Sequence, residues 1–245
     1  MTCTIHLHPT APLAERVLLP GDPGRALRLA EALLAEARMF NHNRGLWGYT
    51  GTTPGGERLT VQSTGMGGPS AAIVISELAQ LGARTMVRLG TCGALDPGLR
   101  LGELVLVGEA LASDGASRAL GADERVKPDS RLLAALSRAG APPPVVVAST
   151  DLFYEADPGR TKRSDSAHGN DPGREQSWRE AGAVAVEMES ATLFSLASNL
   201  GLSAASLLTV SDLIAEPPRA RIDADCLHAA ELRMGELALR ALFAG

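Results

Sequence analysis

Apolar residues recur along this chain in short blocks separated by glycine- and proline-rich turns, and the period of each block predicts its element. Glu15-Arg16-Val17-Leu18-Leu19 reads as a short strand ending in Pro20-Gly21-Asp22-Pro23-Gly24-Arg25, after which Leu27, Leu29, Ala30, Leu33 and Leu34 recur at helical spacing. Hairpin-like strands follow around Leu46–Thr50 and Leu59–Ser63, joined through Thr53-Pro54-Gly55-Gly56. A helix is expected over Ala71–Leu81, a long apolar strand over 84–90, and a further strand at Leu104–Val107. Then come a helix at Ser130–Ala139, a strand at Pro144–Ser149 and an aperiodic polar stretch from Glu155 to Arg174. A helix opened by Glu187 runs to about Leu200, and Ala204–Val210 is another strand. The closing helix, roughly Asp225–Phe243, is amphipathic, with Leu227, Leu232, Met234, Leu237 and Leu242. Six or more strand signals alternating with helices predict an α/β fold, a three-layer single domain over 1–245 with a central mixed, largely parallel sheet flanked by helices.

Composition narrows the partners. Apolar residues make up 45% of the 245 positions but aromatics only 3%, so the core must be built from Ala, Leu and Val, and each aromatic becomes a candidate for a special role. A net charge of −5 without any basic run argues against a nucleic-acid partner. No charged segment leads into an apolar one at the N-terminus, and no apolar run approaches the roughly 18 residues of a membrane span, so a cytoplasmic protein is expected. Cys3, Cys92 and Cys226 are odd in number and far apart, which supports neither a disulfide framework nor a metal site.

Against this background the charged residues inside apolar runs stand out. Val186-Glu187-Met188-Glu189-Ser190 puts two carboxylates into such a run. A carboxylate accepts two side-by-side hydrogen bonds and so suits vicinal hydroxyls such as those of a ribose. The residues alone read first as a helix start with acidic residues in its first turn. Arg88 lies within an apparent central strand and has to meet an anion or a buried carboxylate. Thr91 follows it at the strand's C-terminal end, where ligands collect in α/β sheets. The Gly21–Arg25 turn reads either as an anion site at a helix N-terminus or as an ordinary turn capped by Asp22 with Pro23 at the first helical position. The glycines of Gly65-Met66-Gly67-Gly68 permit close approach of a ligand. Phe153 and Tyr154, just past a strand end, have the position to cover a flat ligand or simply to shield the core. The 155–174 stretch is long enough to serve as a lid, and its His168 is read as a solvated loop residue. Asp212 follows a strand in Val210-Ser211-Asp212. Arginines with a hydroxyl suggest phosphate; carboxylates with an aromatic suggest a nucleoside, and the two together suggest phosphorolysis.

The ordered set Pro20-Gly21-Asp22-Pro23-Gly24-Arg25, Asn43-Arg44-Gly45, Ser63 to Ser70, Arg88 to Ala94, Val186-Glu187-Met188-Glu189 and Val210-Ser211-Asp212 resembles the hexameric nucleoside phosphorylase family, which includes bacterial purine nucleoside phosphorylases and uridine phosphorylases. The resemblance implies that Gly21, Arg25, Arg88 and Thr91 bind phosphate, with Arg44 completing that site in a neighbouring subunit and His6 likewise reaching across to a ribose. It implies a nucleoside site of Met66, Phe153, Val186, Glu187, Met188, Glu189, Ser211 and Asp212, in which Glu189 holds the 2′ and 3′ hydroxyls. Asp212, with Arg25 and Arg88, forms the implied catalytic group, Asp212 protonating a purine as it departs. The implied assembly is a trimer of dimers, with inorganic phosphate as co-substrate and no cofactor or metal. Thr91, the Glu189–Leu193 wording and the 155–174 loop look more like uridine phosphorylases. The Gln-x-Arg of their loop is missing, however: Arg160 and Arg163 are present, but the nearby glutamine is Gln176. Purine phosphorolysis is therefore expected, with uridine phosphorolysis as the alternative; a nucleoside hydrolase would not need Arg25, Arg44 and Arg88 together, and a non-catalytic nucleoside-binding protein would not need to keep Asp212.

Overall fold

The computed structural model describes residues 4–153, 172–214 and 220–243. In chain order the elements are β1 (Arg16–Pro20), α1 (Pro23–Leu33), β2 (Ala35–Asn41), a 3-10 turn at Asn43–Gly45, β3 (Gly48–Thr52), β4 (Arg58–Gln62), α2 (Gly68–Leu81), β5 (Thr85–Ala94), β6 (Leu104–Ala112), α3 (Gly115–Ala119) and β7 (Arg125–Val126). They continue as α4 (Ser130–Arg138), β8 (Pro144–Ser149), α5 (Pro172–Glu180), β9 (Ala183–Glu187), α6 (Ser190–Leu200), β10 (Ser203–Leu213), β11 (Ala220–Arg221) and α7 (Ala224–Phe243).

The eleven strands of the described residues join one mixed sheet flanked by helices. β1 pairs in parallel with β4 and β5, β5 with β10, and β6 and β9 with β8. The hairpin strands β2–β3–β4 and the β5–β9 and β6–β10 contacts are antiparallel. Because β10 pairs with both β5 and β6, while β8 and β9 link β6 back to β5, these five strands close into a ring that an open three-layer sheet does not have.

The central strands are apolar on both faces, which is why they read as continuous runs. On β5, Met86, Cys92 and Ala94 join a core packed by α2 and α6, whereas Val87 and Leu89 join a second core under α1, α4 and α7. β10 alternates in the same way, with Ala204, Leu208 and Val210 on the first face and Ala205 and Leu207 on the second. By this two-residue period, Arg88 shares the α2–α6 face.

Several boundaries differ from the sequence expectation. β5 continues through Thr91 to Ala94 and β10 through Ser211 and Asp212 to Leu213, because the two strands stay paired to Ala94 and Leu213 with Ser211 bulged out of the register. Glu187 closes β9 and does not open a helix; α6 starts at Ser190. The Ala183–Glu187 run is short and buried, a pattern that periodicity alone cannot separate from helix. β2 escaped notice because five of its seven positions are exposed and do not alternate. Of the expected 155–174 loop, residues up to 171 lie outside the described residues, with Tyr154, Arg160, Arg163 and His168; Arg174 and Gln176 belong to α5. Cys3 also lies outside them, and Cys92 and Cys226 are free thiols.

Candidate functional site

The C-terminal ends of β1, β4, β5, β9 and β10 converge on one cavity of about 660 Å³. Its floor is set by two glycine turns that are stitched together. Thr64 N–H donates to Pro20 O at 2.9 Å and Gly65 N–H to Gly21 O at 3.1 Å. Gly21 approaches closely enough that a Cβ there would lie 3.1 Å from Gly65 O, and Gly65 and Gly67 adopt φ of 73° and 83°, which a β-carbon penalises. In the first turn the capping arrangement is realised: the Asp22 carboxylate accepts from Gly24 N–H at 3.0 Å and Arg25 N–H at 2.9 Å, so these two amides are spent within the turn. What the turn offers the cavity is Gly21 and the Arg25 side chain.

Arg88 is 5% exposed and lies between two equally buried carboxylates. Its Nε is 3.2 Å from Glu187 Oε2, and its Nη2 contacts Glu189 Oε2. The sequence requirement of an anion or a buried carboxylate is thus met by both glutamates, which turn to the same guanidinium. Glu187 also accepts from the Ser149 hydroxyl and from the backbone N–H of Glu189 (2.9 Å) and Ser190 (2.9 and 3.0 Å), which ties the end of β9 to the start of α6. Glu189 accepts from Gly67 N–H at 2.5 Å, which docks the second glycine turn onto α6. Burial raises the pKa of Glu189, opposed by Arg88 and reinforced by Glu187. Burial pulls the Arg88 pKa down, but the two carboxylates outweigh it and hold it raised. Burial likewise pushes the nearby Cys92 thiol up, far from any thiolate role.

Arg25 is also buried, and its guanidinium is held by Glu231 on α7 (Nε to Oε1, 2.6 Å) and by Leu89 O (Nη1, 3.0 Å). At the other end of the cavity a β-bulge between Val210 and Asp212 re-aims β10. The Ser211 hydroxyl lies 2.7 Å from Asp212 Oδ2, and Arg221 Nε on β11 is 3.8 Å from Oδ1. Asp212 is therefore interior to a strand, with a hydroxyl and a cation beside it.

Of the residues singled out in the sequence, Gly21, Arg25, Arg44, Met66, Arg88, Thr91, Phe153, Val186, Glu187, Met188, Glu189, Ser211 and Asp212 all line this cavity. Met66 (86% exposed) and Phe153 (44%) sit at its open side. Arg44 is exposed at φ 58°, a conformation uncommon for a side chain other than glycine, and lines the cavity of its own chain. His6 does not line it; its Nδ1 lies 2.8 Å from Glu77 Oε1, and Glu77 also accepts from the backbone N–H of Ile5, His6 and Leu7. Hydrogen bonds from this segment hold the Glu77 carboxyl below its ordinary range despite burial.

Sequence reasoning missed Arg221, Glu231, Ser149 and Glu77. Nothing local distinguishes Arg221, Glu231 or Ser149, which only strand register or helix packing brings to their partners; Glu77 is the one charge inside the apolar run of α2, a signal of the same kind as that of Arg88. Among the described residues no group of three or more His, Cys, Asp or Glu is placed to hold a metal ion, and no helix is long and apolar enough to cross a membrane.

Comparison with known proteins follows the same lines. The family model described as "Phosphorylase superfamily" matches residues 15–243. The chain is 39% identical over 213 residues to a DeoD-type purine nucleoside phosphorylase of Geobacillus kaustophilus, covering 84% of each sequence. It is 37% identical over 205 residues to a protein of the same name from Caldanaerobacter subterraneus, covering 82% of this chain and 83% of the other. Among solved structures it is similar to a uridine phosphorylase from Vibrio fischeri complexed with 6-hydroxy-1-naphthoic acid, with a TM-score of 0.77, 25% identity, and coverage of 95% and 93% of the two chains.

Proposed function

The chain belongs to the phosphorylase superfamily, and we propose that it is a nucleoside phosphorylase acting reversibly on purine ribo- or deoxyribonucleosides. The observation that carries this reading is the convergence on one cavity of Gly21, Arg25, Arg88 and Thr91 with Phe153, Met188, Glu189 and Asp212. The arginines and Thr91 hold inorganic phosphate. Glu189 accepts the ribose hydroxyls, Met66, Val186 and Met188 pack against sugar and base, and Phe153 covers the base. A phosphate oxygen forms the new bond to C1′ as the bond from C1′ to the base breaks. Asp212, supported by Ser211, gives its proton to a ring nitrogen of the departing purine. Arg88 contacts Glu189 directly, so one guanidinium joins the phosphate half of the site to the sugar half. Glu187 acts mainly by fixing Arg88 and the first turn of α6, since protein donors occupy its oxygens.

The similarity to a solved uridine phosphorylase supports a second reading, phosphorolysis of uridine in the same cavity. Asp212 favours the purine, because a carboxylic acid is suited to protonating a purine ring nitrogen. Neither reading calls for a cofactor, and both fit a cytoplasmic enzyme. The expected sharing of His6 and Arg44 between subunits remains part of this proposal. Ile5 (75% exposed) beside Glu77, and Ile73 (41%) one turn earlier on α2, support an apolar subunit contact there. The test is base release from adenosine, inosine and uridine, each with and without phosphate. Phosphate-dependent release from the purines is expected; release from uridine alone would favour the second reading, and release without phosphate would make the protein a hydrolase.

A further inference from the structure

Arg25 is held by an arrangement that simple phosphate binding does not require. Glu231, 2% exposed on α7, accepts from Arg25 Nε with one oxygen, while its other oxygen takes Arg28 Nη2 at 2.7 Å and Nε at 3.2 Å. Arg25 and Arg28 lie three residues apart on α1, so they present to α7 from one face of the helix. A guanidinium has five N–H groups. Two of those on Arg25 go to Glu231 and Leu89 O, which fixes both the position and the plane of the group and leaves the other three for an anion in the cavity.

Arg28 shares Glu231 with Arg25 and also lies 3.9 Å from Asp22 Oδ2, so the four groups together carry no net charge, and what Arg28 adds is a second hold on the Glu231 carboxylate. Arg28 itself does not line the cavity and is partly exposed, and nothing in the phosphate chemistry otherwise calls for it.

We propose that Glu231 is a positioning residue that locks Arg25 in its phosphate-binding pose, with Arg28 holding the other oxygen of the same carboxylate. The inference rests on the phosphorylase reading above. A freed Arg25 must be re-ordered each time phosphate binds, and immobilising a long side chain on binding is worth roughly a tenfold change in affinity. Glu231→Ala is therefore expected to raise the KM for phosphate about tenfold while leaving the KM for the nucleoside unchanged. Glu231→Gln keeps an acceptor for Arg25 Nε and recovers most of the loss. Arg28→Ala leaves Arg25 anchored on Glu231 but frees the other oxygen of that carboxylate, and is expected to raise the phosphate KM by a smaller factor; a rise larger than that of Glu231→Ala would contradict this order.

Steady-state kinetics with phosphate and nucleoside varied separately, together with calorimetric titration of inorganic phosphate, decide the matter. If Glu231→Ala lowers kcat or thermal stability with the phosphate KM unchanged, or raises both KM values alike, Glu231 is a helix-packing residue and the proposal is wrong. If Glu231→Ala does not fold, Glu231→Asp carries the same test, since it keeps the charge and shortens the arm. A wild-type protein that neither binds phosphate nor shows phosphate-dependent cleavage would overturn the phosphorylase reading instead. Wild-type phosphate binding with an unaffected variant would overturn the positioning role alone.

Discussion

Arg88→Met takes the cation out from between two buried carboxylates while keeping a side chain of similar length, and its consequence can be worked through in advance. Glu187 would retain the Ser149 hydroxyl and the amides of Glu189 and Ser190, and Glu189 the amide of Gly67. Among the described residues neither would retain a cation at contact distance. Removing one partner of a buried ion pair costs about 3–5 kcal/mol. For a chain of this size that corresponds to a fall in Tm of about 6–20 °C. The pH dependence has a definite sign. Burial already raises the Glu189 pKa above its ordinary 4.5, and Arg88 is the main influence opposing the rise, so the variant's Glu189 is raised further. A carboxylate whose pKa is higher folded than unfolded binds more protons in the folded state, so stability falls as pH rises from the unfolded value through the folded one. The deficit of the variant is accordingly largest at pH 8 and shrinks as the pH falls toward 5. Urea denaturation of both proteins at pH 8, 7 and 5.5 measures it, and adding Glu189→Gln to the variant should recover stability at pH 8. A deficit below about 1 kcal/mol, or one of constant size across this range, would refute the buried-triad account.

Asp212→Ala should lower adenosine turnover by roughly 10² to 10⁴ and leave phosphate binding by calorimetry intact; unchanged turnover would remove Asp212 from the acid role. Gly90→Ala would place a Cβ 2.6 Å from Arg88 Nη2 and 2.8 Å from Leu208 Cδ2, so it should cost about 1–3 kcal/mol and weaken phosphate binding by displacing the guanidinium. Wild-type stability and phosphate affinity in that variant would contradict the tight packing around Arg88. Glu77→Ala strips the acceptor from the amides of Ile5, His6 and Leu7, each worth about 1–3 kcal/mol if left unpaired, so amide exchange at Leu7 should quicken by roughly 5- to 150-fold. Exchange at the wild-type rate would mean that something other than Glu77 holds the segment.

The elements that were easiest to foresee are those whose pattern is set locally. Asp22 and Pro23 start α1 as their residue types predict, and Gly82 and Gly201, at φ 111° and 65°, end α2 and α6 in the left-handed conformation. Arg88 could be recognised as anomalous, and its need for an anionic partner was legible, because a charge in a central strand is costly whatever the fold. Its partners were not. Nothing in the run around Glu187 and Glu189 says that they share a partner, yet the bend from β9 into α6 turns both to one guanidinium. The strand β9 itself was lost in an apolar run, and β2 in an exposed one.

The sequence by itself determined the alternation of strands and helices, the two glycine turns, and which side chains were chemically out of place in an apolar setting. Those properties depend on period, backbone freedom and the cost of burying charge, all of which act over a few residues. Only the tertiary structure decided that β10 pairs on both sides and closes a ring, that Asp212 lies inside a strand beside Arg221, and that Glu231 reaches back across 206 residues of chain to Arg25. Such contacts depend on strand register and helix packing, which arise from the fit of the whole core and leave no mark on the polar residues they bring together.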